Sequence, residues 1–296
     1  MATNRRNMME LERTAWAGLM VGDALGAPAE FCYGADIDAK YPNGLSEMVD
    51  GFCICSDRRA GEVTDDTQMA YCLHEALREA QGWNPGVTLK HYRAWLATNP
   101  PDVGEATQAA LSGNPLPESQ GNGALMRVLP IALWAVEHPD FDWLTAARED
   151  AALTHPHPVC ADCNVAYVYA LLLAAKSTVT PEAIYEKTLH MATEMNLDSS
   201  VIQAIFSSAF ERPDYDGAHI GWVLIALKSA FYQLLHADSF RAGLVDIVSA
   251  GGDTDTNAAI AGPLLALVHG RDSIPDSWLS SVRQANASCY AELLPE

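Results

Sequence analysis

TAWAGLMVGDALGAP, residues 14–28, reads as one apolar helix running into a proline. Alanine and leucine favour the helix, and Pro28 stops it because proline has no N–H to donate and crowds the turn before it. Three glycines in this stretch, Gly18, Gly22 and Gly26, recur every four residues and therefore share one face. Each costs a helix roughly 1 kcal/mol relative to alanine, so the repeat predicts that another backbone comes close along that face. The same face would carry Asp23, and Glu30 just past Pro28, to a site at the helix end.

Outward from this helix the same period recurs. Gln68–Ala80 places Met69, Leu73 and Leu77 on one stripe, and Gly221–His236 is long, apolar and aromatic. Further helices are expected over about 124–136, 162–175, 181–195 and 200–210, with Pro, Gly and Asn between them. Alternating patterns are scarce; only SEMVDGFCIC, residues 46–55, could form a short hairpin turning at Asp50-Gly51. Internal repeats, low-complexity tracts and long linkers are lacking. The expected fold is all-α, a compact multi-helix bundle in a single domain spanning residues 1–296.

With 296 residues, 49% of them hydrophobic, the chain can bury a large core. Its formal net charge of −20 and the absence of basic clusters argue against a nucleic-acid partner, since a phosphate backbone would be repelled. No run approaches the roughly 18 apolar residues of a membrane span, and MATNRRNMME lacks a signal-peptide core. A cytoplasmic protein without a membrane partner is expected. Seven scattered cysteines fit reduced thiols better than a disulfide framework.

Two acidic stretches stand out. GEVTDDTQMA, residues 61–70, puts Thr64, Asp65, Asp66 and Thr67 at a helix start, and SAGGDTDTNAAIAG, residues 249–262, does the same with Asp253, Asp255 and Thr256. Asp and Thr commonly cap helices, so one such stretch is ordinary. Two, each with two carboxylates and hydroxyls, suit hard divalent cations such as Mg2+ or Mn2+, which prefer oxygen ligands. Four aspartates carry the charge that two such ions would cancel, and without ions or protons a partly buried cluster would repel itself. A third stretch, GNGALMRVLP at 121–130, opens another helix with Gly121, Asn122 and Gly123; it is either an ordinary turn or a backbone cradle for an anionic phosphate.

With MVGDALGAPAEF at 20–31, these stretches occur in an order that resembles the ADP-ribosylglycohydrolase family, from about Thr14 to Trp278. The resemblance implies an all-helical enzyme that cleaves the glycosidic bond at the anomeric carbon of ADP-ribose with two divalent cations, Mg2+ or Mn2+. It implies Thr64, Asp65, Asp66, Asp253, Asp255 and Thr256 as metal ligands, with Glu30 activating or positioning water. Asn122 and Gly123 would cradle the diphosphate or distal ribose. Asp102, in PPDVGEATQ at 100–108, becomes a second candidate acid or base, and His155 and His157 would lie beside the substrate.

The implied partner is an ADP-ribosylated protein or an ADP-ribosyl small molecule. Arginine linkage is the leading expectation, because a cationic leaving group suits an acidic mouth around Asp102 and Glu105. Serine-linked ADP-ribose, a small compound such as O-acetyl-ADP-ribose, and a non-catalytic ADP-ribose-binding module are the alternatives. His155, His157, Cys160 and Cys163 superficially suggest zinc, but without a second matched pair a histidine-capped helix start with buried thiols is the simpler expectation. Pro263 falls inside the helix expected after Thr256, where it should kink or end it.

Overall fold

The first helix, α1 (Ala2–Gly26), stops where Pro28 demands, and a single 3-10 turn, Ala27–Ala29, hands the chain on to Glu30. This and everything below comes from a computed structural model that describes residues 2–52, 58–176 and 178–295. After it come α2 (Gly34–Lys40), α3 (Asp65–Ala80), α4 (Pro85–Leu96) and α5 (Glu105–Leu111). The middle of the chain forms α6 (Leu129–Glu137), α7 (Trp143–Thr154), α8 (Pro158–Ala174), α9 (Pro181–Glu194) and α10 (Ser199–Ser207). The last four are α11 (Val223–His236), α12 (Phe240–Ser249), α13 (Thr254–His269) and α14 (Asp276–Ala285).

Local chemistry sets many of these boundaries. Pro85, Pro158 and Pro181 occupy first-turn positions, where a missing N–H costs nothing, and Asn84, His157 and Thr180 cap the same three helices. Among the described residues there is no strand, only the isolated bridges Tyr33–Gly251 and Gly121–Trp222. Residues 46–52 of the expected hairpin are irregular, and its last three residues lie outside the described ones. The expected helix at 124–136 begins later, at Leu129, because residues 123–127 turn before Pro130 fixes the first helical turn.

The core is organised around α13, whose residues from Thr254 to Ala266 are all buried. A helix apolar on every side must be enclosed, and α1, α8, α11 and α12 enclose this one. The glycine repeat explains how α1 gets so close. A Cβ added at Gly18 would lie 2.5 Å from the Gly262 carbonyl oxygen, one at Gly22 2.2 Å from that of Ala258, and one at Gly26 2.4 Å from the Asp255 Cα. The helices thus touch backbone to backbone. Contrary to expectation, Pro263 does not end α13. The helix is clamped on all sides, and the Tyr167 hydroxyl donates to the Ile260 carbonyl one turn before the proline.

Cys72, Cys160, Cys163 and Cys289 are free thiols, as expected, whereas Cys32 is disulfide-bonded. Among the described residues no helix is long and apolar enough to cross a membrane.

Candidate functional site

Three helix ends meet at one place: the C-terminal turn of α1 and the N-terminal turns of α3 and α13. Asp23, on α1, ties the first two together. Its carboxylate accepts from the Thr64 N–H at 2.9 Å, from the Thr67 N–H at 3.1 Å and from the Thr67 hydroxyl. These are donors that the start of α3 would otherwise leave unpaired. Thr254 ties α13 to α1 by donating its hydroxyl to the Gly26 carbonyl at 2.7 Å. A short strap closes the far side, with the Phe31 N–H donating to the Gly252 carbonyl and the Gly252 N–H donating to Cys32. Gly252 permits this because it adopts a left-handed φ of 77° and a side chain there would collide with the Tyr215 carbonyl.

The result brings both acidic stretches face to face. The Thr256 hydroxyl reaches Asp66 Oδ2 at 3.4 Å across 190 residues of sequence, and the Thr64 hydroxyl donates to the same oxygen at 2.9 Å. Carboxylate oxygens of Asp23, Asp66 and Asp255 lie within 4.8 Å of one another, and so do those of Glu30, Asp253 and Asp255. All five residues are buried, and Asp255 belongs to both trios. Asp65 is buried too but belongs to neither.

Such a cluster strains against its own charge. Two carboxylates 4.8 Å apart repel by on the order of 3 kcal/mol at an effective dielectric of about 20. Burial first, then the neighbouring carboxylates, pushes Asp66 and Asp255 well above the ordinary range. Burial, with Asp102 next, raises Asp65 to about 8, offset in part by Arg58. Asp23 rises to about 6 through burial despite the hydrogen bonds it accepts. Burial also raises Asp253, against the hydrogen bond that the Asn122 amide donates to its Oδ2 at 2.7 Å. Asp66 Oδ1 is buried with no hydrogen-bond partner among the described residues. An orphaned carboxyl oxygen beside two all-oxygen trios is the donor set that a hard divalent cation fits.

The remaining expected residues ring this cluster. Asn122 turns its side chain to Asp253 and its N–H to the Gly221 carbonyl, so it braces the acidic cluster directly. Gly121 and Gly123 lie over the His155 ring: an added Cβ would come within 3.2 and 3.0 Å of it. His157 stands apart from the carboxylates, capping α8 through Nδ1 and meeting the Gln120 amide at 3.2 Å. Cys160 is buried beneath the glycine loop, and no His/Cys zinc cluster forms among the described residues. Asp102 is ion-paired to Arg58 at 2.8 Å yet close enough to raise Asp65 and Asp253, while Glu105 is exposed at the start of α5.

Sequence reasoning left Thr67, Thr254 and Arg58 out of the site. Asp23 was placed near it by the glycine face without a ligand role. The signal for Thr254 and Thr67 was present in the doubled TDDT and DTDT patterns; nothing local marked Arg58.

The family model for ADP-ribosylglycohydrolase matches residues 7–295. The chain belongs to the ADP-ribosylglycohydrolase family. It is accordingly an enzyme that hydrolyses a glycosidic bond of ADP-ribosyl groups. The ADP-ribosyl-[dinitrogen reductase] glycohydrolase of Rhodospirillum rubrum is 27% identical to it, with 90% of this chain and 88% of that protein aligned. The ADP-ribosylarginine hydrolase Tri1 of Pseudomonas putida is 25% identical over 93% of this chain and 74% of its own. A solved structure described as an ADP-ribosylglycohydrolase-related protein complex matches this ADP-ribosylglycohydrolase with a TM-score of 0.80 and 27% identity, covering 97% of each chain.

Proposed function

We propose that this ADP-ribosylglycohydrolase removes ADP-ribose from modified arginine on a protein, using two divalent cations, Mg2+ or Mn2+. The observation that carries the metal reading is the pair of buried carboxylate trios sharing Asp255, with Asp66 Oδ1 left unsatisfied. Thr64, Asp65, Asp66, Asp253, Asp255 and Thr256 would hold the cations, with Glu30 beside them and Asp23, its oxygens taken up by the Thr64 and Thr67 donors, fixing the start of α3. Bound there, divalent cations would polarise oxygens of the ribose and of water.

The chain's own groups do the rest. Positive charge develops on the ribose as its glycosidic bond breaks, and the surrounding carboxylates stabilise it. Glu30, at the end of the 3-10 turn and beside Asp253 and Asp255, is placed to accept a proton from the attacking water. Asp102 faces the same cluster with one oxygen committed to Arg58. Asn122 fixes Asp253, and the Gly121–Gly123 loop offers close backbone approach for a diphosphate or ribose. The arginine linkage is supported by the acidic surroundings, which favour a cationic leaving group, and by the name of the Pseudomonas putida relative.

Purified protein with Mn2+ or Mg2+ should release ADP-ribose from an arginine-modified protein faster than from a serine-modified one. Asp253→Ala should abolish release while remaining folded. Cleavage of serine-linked ADP-ribose alone would overturn the linkage, and full activity of Asp253→Ala would overturn the metal reading.

A further inference from the structure

One buried polar network lies outside the chemistry so far assigned. Arg127 and Asp150 are both 0% exposed and paired, Nε to Oδ2, at 3.2 Å. Arg127 Nη2 donates to the Asp150 carbonyl at 2.9 Å, the Tyr92 hydroxyl donates to Asp150 Oδ1 at 2.7 Å, and the guanidinium lies 4.5 Å over the Tyr92 ring. Burying such a pair gains little stability, because desolvation offsets the attraction. Its outward arm is more informative: Nη1 donates to the Gly123 carbonyl at 3.1 Å and to the Thr154 hydroxyl at 2.8 Å. Thr154 Oγ1 in turn lies 2.9 Å from His155 Nδ1.

Proton bookkeeping fixes the direction of this relay. Arginine only donates, so the threonine oxygen accepts from Nη1. Its single proton then goes to His155 Nδ1, the one acceptor it meets among the described residues. Burial keeps the imidazole neutral, pushing its pKa down to about 3, so a ring accepting at Nδ1 carries its proton on Nε2. That edge faces the glycine loop: a Cβ at Gly121 would lie 3.2 Å from Nε2. His155 is 3% exposed, and its Nε2 takes no hydrogen-bond partner among the described residues.

We propose that Arg127 and Thr154 are positioning residues that lock His155 as the Nε2–H tautomer, presenting one fixed hydrogen-bond donor beside the Gly121–Gly123 loop for an acceptor oxygen of the bound ADP-ribosyl group. This rests on the reading of that loop as part of the substrate site. Asp150 and Tyr92 steady the guanidinium from the opposite side. Asp150→Ala would strand a buried charge and risk unfolding, so Thr154→Val and Tyr92→Phe are the useful pair: each deletes one hydroxyl from the network, but only the first touches His155.

Histidine 15N NMR reports the tautomer without substrate or metal, and steady-state kinetics reports the consequence. Wild type should show protonated Nε2 at His155. Thr154→Val should lose that fixed state and raise KM about tenfold with kcat little changed, the loss of one good hydrogen bond made equally before and during reaction. Tyr92→Phe should keep tautomer and KM while melting earlier. A wild-type His155 protonated on Nδ1, or a Thr154→Val enzyme with wild-type tautomer and KM, overturns the proposal. Absence of any ADP-ribosyl hydrolysis by wild type would instead overturn the functional reading, and the NMR result would still decide the relay.

Discussion

Replacing Gly22 with alanine tests how the active cluster is built. The added methyl carbon would sit 2.2 Å from the Ala258 carbonyl oxygen and 2.5 Å from its carbon, against an ordinary contact of at least 3.4 Å. The obstacle is backbone, so no rotamer relieves it, and α1 and α13 must part by more than 1 Å at the crossing. Overpacking of this kind costs about 1–3 kcal/mol, and the better helix propensity of alanine returns up to about 1 kcal/mol. For a chain of 296 residues an unfolding entropy of about 2.1 cal/mol/K per residue converts a net loss of about 2 kcal/mol into roughly 3 °C of melting temperature. Activity should fall much further, about 100-fold, because Asp23 rides on α1 while Asp253 and Asp255 ride on α13, and an ångström of misplacement is severe for preorganised groups. Calorimetric melting and ADP-ribose release measured side by side check both halves. Gly86→Ala is the control, since its methyl would meet only Asn84 Oδ1, at 3.3 Å. Ala258→Gly should fail to rescue, because the clashing atom is a main-chain oxygen. A Gly22→Ala enzyme that melts within a degree of wild type and keeps its rate would refute the backbone-contact argument.

Two further outcomes follow from the same charge cluster. Asp255→Asn should raise the melting temperature of chelator-treated protein while reducing hydrolysis by at least about 100-fold, since the carboxylate shared by both trios is a source of repulsion and a proposed cation ligand; a lower melting temperature in chelator would contradict this. Without divalent cations, stability should also decline as pH rises. Asp23 and Asp65 titrate near about 6 and about 8 in the fold against an ordinary 3.8, so the native state holds protons the unfolded chain has released. That stability is fully present below about pH 4 and is lost as pH climbs through 6 and 8, and Mn2+ should restore it; urea midpoints across this range, with and without Mn2+, provide the measurement.

Much of the architecture was legible because its causes are local. Helix α9 begins at Pro181 as read and ends within one residue of the expected Met195, and α3 extends the Gln68–Ala80 stripe by the capped turn Asp65–Thr67. The first twelve residues of α1 were invisible, since NRRNMMELE carries no apolar period to betray a helix. Pro263 misled for the opposite reason: a local rule was overridden by enclosure on all sides. At the site, the two acidic stretches announced themselves by composition and order. What they touch did not, because the hydrogen bonds from Thr64 and Thr67 to Asp23, the Arg58–Asp102 pair and the His155 seat under the glycine loop each join residues far apart in sequence or turned toward each other only by tertiary packing.

The crossing of α1 with α13 also dictates when this enzyme comes into being. Its carboxylates come from residues 23 and 30, 65 and 66, and 253 and 255, so the whole stretch from α1 to the start of α13 must be made before they can converge. A nascent chain that has not reached α13 carries Asp23, Glu30, Asp65 and Asp66 without Asp253 and Asp255. The assembled cluster is thereby withheld until α13 has been made.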